Sequence, residues 1–287
     1  MNNRPRLSPD IFFSIMNVFK ENGWDIPEND PRKSKRFNRF CDRLSKLKRD
    51  EQLLVIDLTK RFLVIGSSEY LQLMKKILDD IYNAGENVFS PITELFILPL
   101  IAPKDRRKTK SSKAVWYFFQ EEIIKDCLLF EGKNLHYCDI ERLPKKTKLQ
   151  GYEALILLDD YIGSGDTAID AIQSVIKKYE EQPQHIFVIS IVAQEAGIQR
   201  IEACTCAKVF AYYRLKRGIS DYYTGEELAS NTLLMRRLER KLKVEKDYCF
   251  GYKESEALVS MVRPPNNTFP VFWLPNDEYG TAPFPRY

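Results

Sequence analysis

Two adjacent carboxylates, Asp159 and Asp160, stand at the end of an apolar run, and a glycine-rich turn follows them. Residues 155–167 read Leu-Ile-Leu-Leu-Asp-Asp-Tyr-Ile-Gly-Ser-Gly-Asp-Thr. Four apolar residues in a row, Leu155 to Leu158, read as a buried strand with the acids at its carboxyl end. Gly163 and Gly165 let the backbone approach an anion closely. Amides of that turn, and of the helix N-terminus after it, can point at a phosphate. Ser164 and Thr167 add hydroxyl donors, while Asp159 and Asp160 can accept hydrogen bonds from two vicinal ribose hydroxyls. Together these residues suit a sugar-phosphate cradle. The same residues also suit a Gly-rich βα turn of another doubly wound fold, in which an acidic pair at a strand end serves magnesium or phosphate. The sequence has no lysine-bearing GxxxxGK[ST] loop, which argues against an NTPase.

The segment resembles the phosphoribosyl-diphosphate signature of type I phosphoribosyltransferases (PRTases). That signature is an apolar strand, two acidic residues, two mostly apolar residues, then a Thr/Ser-Gly-x-Thr loop. Asp159 and Asp160 match the acidic pair, and Ser164, Gly165 and Thr167 match the loop. The resemblance implies that Asp159 and Asp160 are the catalytic pair. They would hold the ribose 2- and 3-hydroxyls and take Mg2+, directly or through water. It also implies that Tyr161, Gly163, Ser164, Gly165, Asp166 and Thr167 line the substrate. Two positions depart from the signature. Asp166 replaces a frequent second glycine and adds a negative charge beside the phosphate. Gly163 stands where purine-type members carry an aspartate near the base. The similarity is tight over residues 155–167 and loose over Phe62–Tyr213. The tail "PNNTFPVFW" and the upstream "PKDRRKTKSSKAV" together resemble a divergent PRTase-like branch found in bacterial anti-phage loci, including retron-type systems. That resemblance implies an effector beside a reverse transcriptase with its RNA–DNA hybrid.

Other charged clusters surround this motif in the sequence. Arg106, Arg107, Lys108 and Lys110, followed by Ser111 at a helix start, can neutralise a departing pyrophosphate. A solvated basic loop has the same composition, and Gly66-Ser67-Ser68, also between a strand and a helix, competes for the pyrophosphate role. Arg32–Arg49 holds nine basic residues on an amphipathic pattern. Its Arg36, Arg39 and Arg43 can lie along nucleic acid, face solvent, or pair with an acidic partner. Phe269, Phe272 and Trp273 read as packing anchors or as a base-stacking platform. His136 and His185 fall within strand-like runs and read as core or edge residues.

The pattern predicts an α/β fold: a mostly parallel sheet flanked by helices, with a helical N-terminal extension and a C-terminal helix plus hood-like tail. Ser8-Pro9 starts a first helix, a basic helix follows, and a short helix covers Glu51–Lys60. Strands are expected at Phe62–Gly66, Leu95–Leu100, Leu135–Ile140, Leu155–Leu158, His185–Ala193 and Ala207–Tyr213. Helices are expected at 67–82, 112–124, 167–179 and 196–203. Thr224-x-x-Glu227 reads as a capping box opening a long helix. The expected divisions are a basic helical extension (1–60), the α/β core (61–215), and a C-terminal helix and tail packing on that core (216–287). Ligands of such sheets sit at the carboxyl ends of the strands.

Bulk composition narrows the function classes. Hydrophobic residues make up 44% and charged residues 29%, so a sizeable core can be buried. The net charge of +4 is too small to define a polyanion partner by itself. No apolar run reaches the roughly 18 residues of a membrane helix, and "MNNRPRLSPD" lacks a signal-peptide core. The expectation is a cytoplasmic chain without a membrane partner. Six cysteines with no CxxC spacing read as reduced and mostly buried. Three functions are weighed, in this order. The first is an enzyme binding phosphoribosyl diphosphate or a nucleotide, acting at ribose C1 with Mg2+. The second is a non-catalytic nucleotide sensor. The third is a nucleic-acid-associated partner module.

Overall fold

Alternating apolar runs and punctuating glycines and prolines divide the described residues into seven strands and nine α-helices. The computed structural model describes residues 7–26, 35–84, 88–108, 110–124 and 127–286, and the statements below concern these. In chain order the elements are α1 (Pro9–Glu21), α2 (Lys35–Ser45), α3 (Arg49–Lys60), β1 (Leu63–Val64), α4 (Ser67–Asn83) and β2 (Glu94–Pro99). Next come α5 (Ser111–Phe118), β3 (Asn134–Tyr137), β4 (Glu153–Ile162), α6 (Asp166–Ile176), β5 (Ile186–Gln194) and α7 (Glu195–Cys204). The last are β6 (Ala207–Leu215), α8 (Gly225–Lys241), β7 (Val259–Ser260) and α9 (Pro270–Trp273). A π-helical turn, Phe119–Ile123, extends α5. The first residues of the basic segment, 32–34, and part of the turn after Trp24 lie outside the described residues.

The chain forms two compact units, Gly66–Leu215 and the combination of Met1–Ile65 with Lys216–Tyr287. The first holds a five-stranded, wholly parallel sheet in the order β3-β2-β4-β5-β6. The helices α4 and α5 cover one face, with Trp116 Nε1 donating to Ile97 O at 3.0 Å to fix α5. The other face carries α6 and α7, whose Ile169, Ile172, Ile198 and Ile201 join Leu155, Leu157, Val188 and Val209 in one core. Both faces of β4 are therefore covered, as its unbroken apolar run requires.

Strand order reverses between β2 and β4, since the chain moves outward to β3 and then returns to the other side of β2. Pairing of β2 with β4 ends at Pro99 opposite Leu158, while β4 continues beside β5 to Ile162. A crevice opens at such a switch point, outside the carboxyl ends of the strands. Asp159 to Ile162 border it. Core-facing parity also shifts here. Leu155 and Leu157 share their cluster with Ile162, and Ile186 and Val188 share it with Ala193. An irregularity of this kind re-aims side chains at the end of a strand.

The second unit is built from residues on both sides of the first in the sequence. Ile11, Ile15, Phe19, Phe37, Phe40 and Leu44 share one core with Met235, Leu238, Phe269, Phe272 and Phe284. Phe62 stacks on Phe284 at 4.6 Å, with an interplanar angle of 5°. The run at Phe62–Gly66 does not enter the main sheet. Its two-residue strand β1 pairs in parallel with β7 inside this unit. Thr224 occupies the N-cap position of α8, but its side chain makes no capping bond, so the expected capping box is not formed. Ser8 likewise caps α1 in backbone conformation only, with Pro9 in its first turn.

Candidate functional site

The acids sit within the strand rather than in the loop after it, because β4 extends through Ile162. Asp160 is 5% exposed. Its Oδ2 accepts a hydrogen bond from the Tyr70 hydroxyl at 2.8 Å, and its Oδ1 accepts one from Ser111 Oγ at 2.6 Å. These donors come from the first turns of α4 and α5, so both helix starts converge on one carboxylate. Asp159 Oδ1 accepts the Asp160 backbone N–H at 2.9 Å. Burial, and then the neighbouring Asp160 charge, hold the Asp159 carboxyl well above its usual range, while Lys110 pulls the other way.

The turn after β4 is shaped by two glycines from different elements. Gly165 has φ 83° and is the N-cap of α6, a left-handed position that costs most residues about 1–2 kcal/mol. Gly197, in the first turn of α7, packs on the turn so closely that a Cβ there would lie 2.0 Å from Gly163 O. The Ser164 hydroxyl donates to Asp166 Oδ2 at 3.1 Å. Arg200 of α7 donates from Nη1 to Ser164 O at 3.0 Å and to the Asp166 carboxylate. Tyr161 and Gln194 end β4 and β5. Burial raises the Tyr161 phenol, and the Gln194 amide lies toward it without meeting hydrogen-bond geometry.

The basic segment after β2 divides in two. Lys110 and Ser111 remain beside the acids. Arg106 turns away, with Nη1 on Glu141 Oε1 at 2.8 Å and Nη2 on Ser174 Oγ at 3.1 Å. It lines a pocket of about 130 Å3 between the ends of β2 and β4 and α6, together with Lys113, Glu141 and Ala171. Lys108 and Lys110 both pair with Asp105, at 2.7 and 2.8 Å. Arg107 is exposed. Of the expected pyrophosphate cluster, Ser111 is bonded to Asp160, Lys110 is paired with Asp105 while its charge reaches Asp159, and Arg106 is held on a different partner. At the competing Gly66-Ser67-Ser68 turn, Glu69 Oε2 accepts the Gly66 N–H at 2.8 Å.

The basic helix α2 needs a correction. Arg43, expected on a nucleic-acid face, is 0% exposed. Its Nη2 donates to the carbonyls of Leu274 and Gly280 at 2.6 and 3.1 Å. The alkyl stem of an arginine at a Phe40, Leu44 spacing is drawn into the core along with them. Arg36 is half-buried, with its guanidinium over the rings of Trp24 and Phe284 at 5.4 and 5.0 Å. Arg39 is also half-buried. Phe269, Phe272 and Trp273 are buried packing residues, with Trp273 Nε1 donating to Thr268 O at 2.7 Å. His136 lies on β3, with Nε2 2.6 Å from Glu94 Oε2.

Mg2+ takes one or two carboxylates and completes its shell with water and substrate oxygens. Asp159 and Asp160 fit that demand, and the repulsion that lifts Asp159 is what a divalent cation relieves. Among the described residues, no group of three or more His, Cys, Asp or Glu side chains is gathered for a metal.

Tyr70, Gly197 and Arg200 are the site residues that spacing did not single out. Tyr70 reads as an apolar-face residue of α4. Arg200 carries no local signal. Gly197 carries one, since a glycine inside a helix costs about 1 kcal/mol and wants a packing reason.

A wholly parallel sheet thus carries an acidic pair near the end of β4 and a glycine turn after it, beside the switch point. The PRTase-CE family matches residues 37–286, and the chain belongs to that family. Solved structures similar to it include orotate phosphoribosyltransferase from Aeropyrum pernix, at 13% identity and TM-score 0.28, covering 52% of this chain and 71% of that one. The AQ2163 protein from Aquifex aeolicus aligns at 12% identity and TM-score 0.33, covering 67% and 88%. Hypoxanthine phosphoribosyltransferase from Trypanosoma cruzi, in complex with the product IMP, aligns at 10% identity and TM-score 0.33, covering 54% and 76%. No curated protein matches the sequence. Among the described residues, no helix is long and apolar enough to cross a membrane.

Proposed function

We propose that this chain binds phosphoribosyl diphosphate or a nucleotide through its ribose 5-phosphate and acts at ribose C1. The observation that carries this reading is the arrangement along β4: the acids Asp159 and Asp160, then the Gly163–Thr167 turn, all at the switch point of the sheet. Asp159 and Asp160 accept the two ribose hydroxyls, with Asp160 held in place by Tyr70 and Ser111. Amides of the turn and the start of α6 receive the phosphate. Mg2+, held by the acid pair, would neutralise charge on the leaving group. The bond from C1 to pyrophosphate breaks with its electron pair leaving on pyrophosphate, and the acceptor's lone pair forms the new bond at C1 as its proton departs to water. Run the other way, the bond from C1 to a nucleobase breaks with its electron pair leaving on the base, which takes a proton from water, while a pyrophosphate oxygen forms the new bond at C1; the nucleotide is degraded to free base and phosphoribosyl diphosphate. Lys110, beside Asp159, is the cation best placed to meet the pyrophosphate.

The wider role we assign is that of an effector in anti-phage, retron-type defence, beside a reverse transcriptase and its RNA–DNA hybrid, in the cytoplasm. The tail and basic-loop resemblance supports that role. The test is incubation with phosphoribosyl diphosphate, nucleotides and Mg2+, with mass spectrometry of the small molecules. Turnover is expected in wild type and absent from a folded Asp159→Asn, Asp160→Asn double variant. Equal turnover in that variant overturns the enzyme reading. Ligand-induced thermal stabilisation without product would leave a sensor instead.

A further inference from the structure

We infer that Arg200 is a phosphate-binding residue of this site, paired with Asp166 so that the turn can accept an anion despite its own acid. The inference rests on the ribose-phosphate reading above and extends it to a residue outside the motif. Asp166 is the first residue of α6, where the helix amides and dipole attract negative charge. A carboxylate there competes with an incoming phosphate for the same donors and repels it. Arg200 answers both problems. It reaches from α7 to the Asp166 carboxylate and to Ser164 O, the backbone of the turn itself. Gly197, one helical turn earlier, removes the Cβ that would hold α7 away from Gly163.

Only Nη1 of Arg200 takes part in these bonds among the described residues, and the side chain is 44% exposed. Nη2 and Nε remain for a ligand, and two parallel N–H donors of a guanidinium match a phosphate edge. A surface ion pair alone contributes little to stability, so the pair has more to offer the turn's charge balance than the fold. With Arg200 in place, a phosphate meets a neutral pair. Without it, the phosphate meets a carboxylate that has lost its guanidinium.

The probe is ribose 5-phosphate, titrated calorimetrically into the full chain and into Arg200→Gln, Arg200→Lys, Asp166→Asn and the Arg200→Gln, Asp166→Asn double variant. Arg200→Gln is expected to weaken binding at least tenfold with an unchanged melting temperature. Arg200→Lys is expected to recover part of that loss, and the double variant to bind more tightly than Arg200→Gln alone. Wild-type affinity in Arg200→Gln, or a double variant as weak as Arg200→Gln, overturns the role of Arg200 while leaving the ribose-phosphate site standing. A wild-type chain that does not bind ribose 5-phosphate removes that site and this inference together.

Discussion

The Tyr70 hydroxyl donates to Asp160 Oδ2 at 2.8 Å, joining the first turn of α4 to an acid 90 residues further along the chain. Asp160 is buried, so each of its hydrogen bonds offsets part of the cost of keeping a carboxylate out of water. Tyr70→Phe removes one of them without opening a cavity. The expected result is a stability loss of about 1.5–3 kcal/mol, the range for hydrogen bonds to charged groups. Ser111→Ala should cost a similar amount. Denaturant unfolding measures both, and no change in either variant would mean that these hydrogen bonds do not hold Asp160 in place.

Asp159 makes stability depend on pH in the direction opposite to a salt-bridged acid. Its folded-state pKa is raised by burial and by Asp160, so the folded chain holds this proton more tightly than the unfolded chain. Stability is fully present below the ordinary aspartate range and is lost as pH rises toward the raised value. Asp159→Asn should therefore raise the melting temperature at neutral pH, in the absence of Mg2+, and leave it nearly unchanged at acid pH. An equal shift at both pH values would refute the assignment.

Gly197→Ala places a methyl 2.0 Å from Gly163 O, a contact that real structures do not contain. Backbone lies on both sides, so the turn must move away from α7. Ribose 5-phosphate binding is expected to fall at least tenfold, while far-ultraviolet circular dichroism stays native. Retained affinity would show that the geometry of the turn is not what the ligand reads.

Glu239, in the other unit, provides a second pH test at a residue outside the proposed chemistry. Burial pushes its carboxyl up to about 8, against the opposing pull of the Phe250 N–H, which Oε1 accepts at 2.7 Å, and of the Cys249 thiol. Its folded value exceeds the ordinary glutamate value of 4.5, so stability should decline between about pH 4.5 and 8. Glu239→Gln keeps the Oε1 acceptor and should flatten that decline, as thermal melts across the range would record.

Much of the sheet was legible because central parallel strands are apolar throughout. Runs such as Leu155–Leu158 and Ile186–Ala193 announce themselves wherever they fall. The turn after β4 was legible for a different reason: the left-handed N-cap at Gly165 favours glycine. What could not be read was whatever depends on distant partners. Two apolar residues at Leu63–Val64 look like any other strand start, yet they pair with Val259–Ser260. Arg43 shares its residue type with Arg36 and Arg39, and only the carbonyls of Leu274 and Gly280 explain why it is buried. Arg106 and Lys110 belong to one basic run, but Glu141 draws the first away while Lys110 stays by Asp159.

Because residues 66–215 interrupt the unit formed by the two ends of the chain, the order of synthesis acts on the units unequally. The inner segment has all its strands once Leu215 has been made and can condense early. Phe40 and Phe62 meet Phe272 and Phe284 only after these later residues have been made. Until then the apolar faces of the leading helices lack their cover, so a nascent chain stalled or truncated before Phe272 would present sticky, chaperone-dependent surface from its first helices.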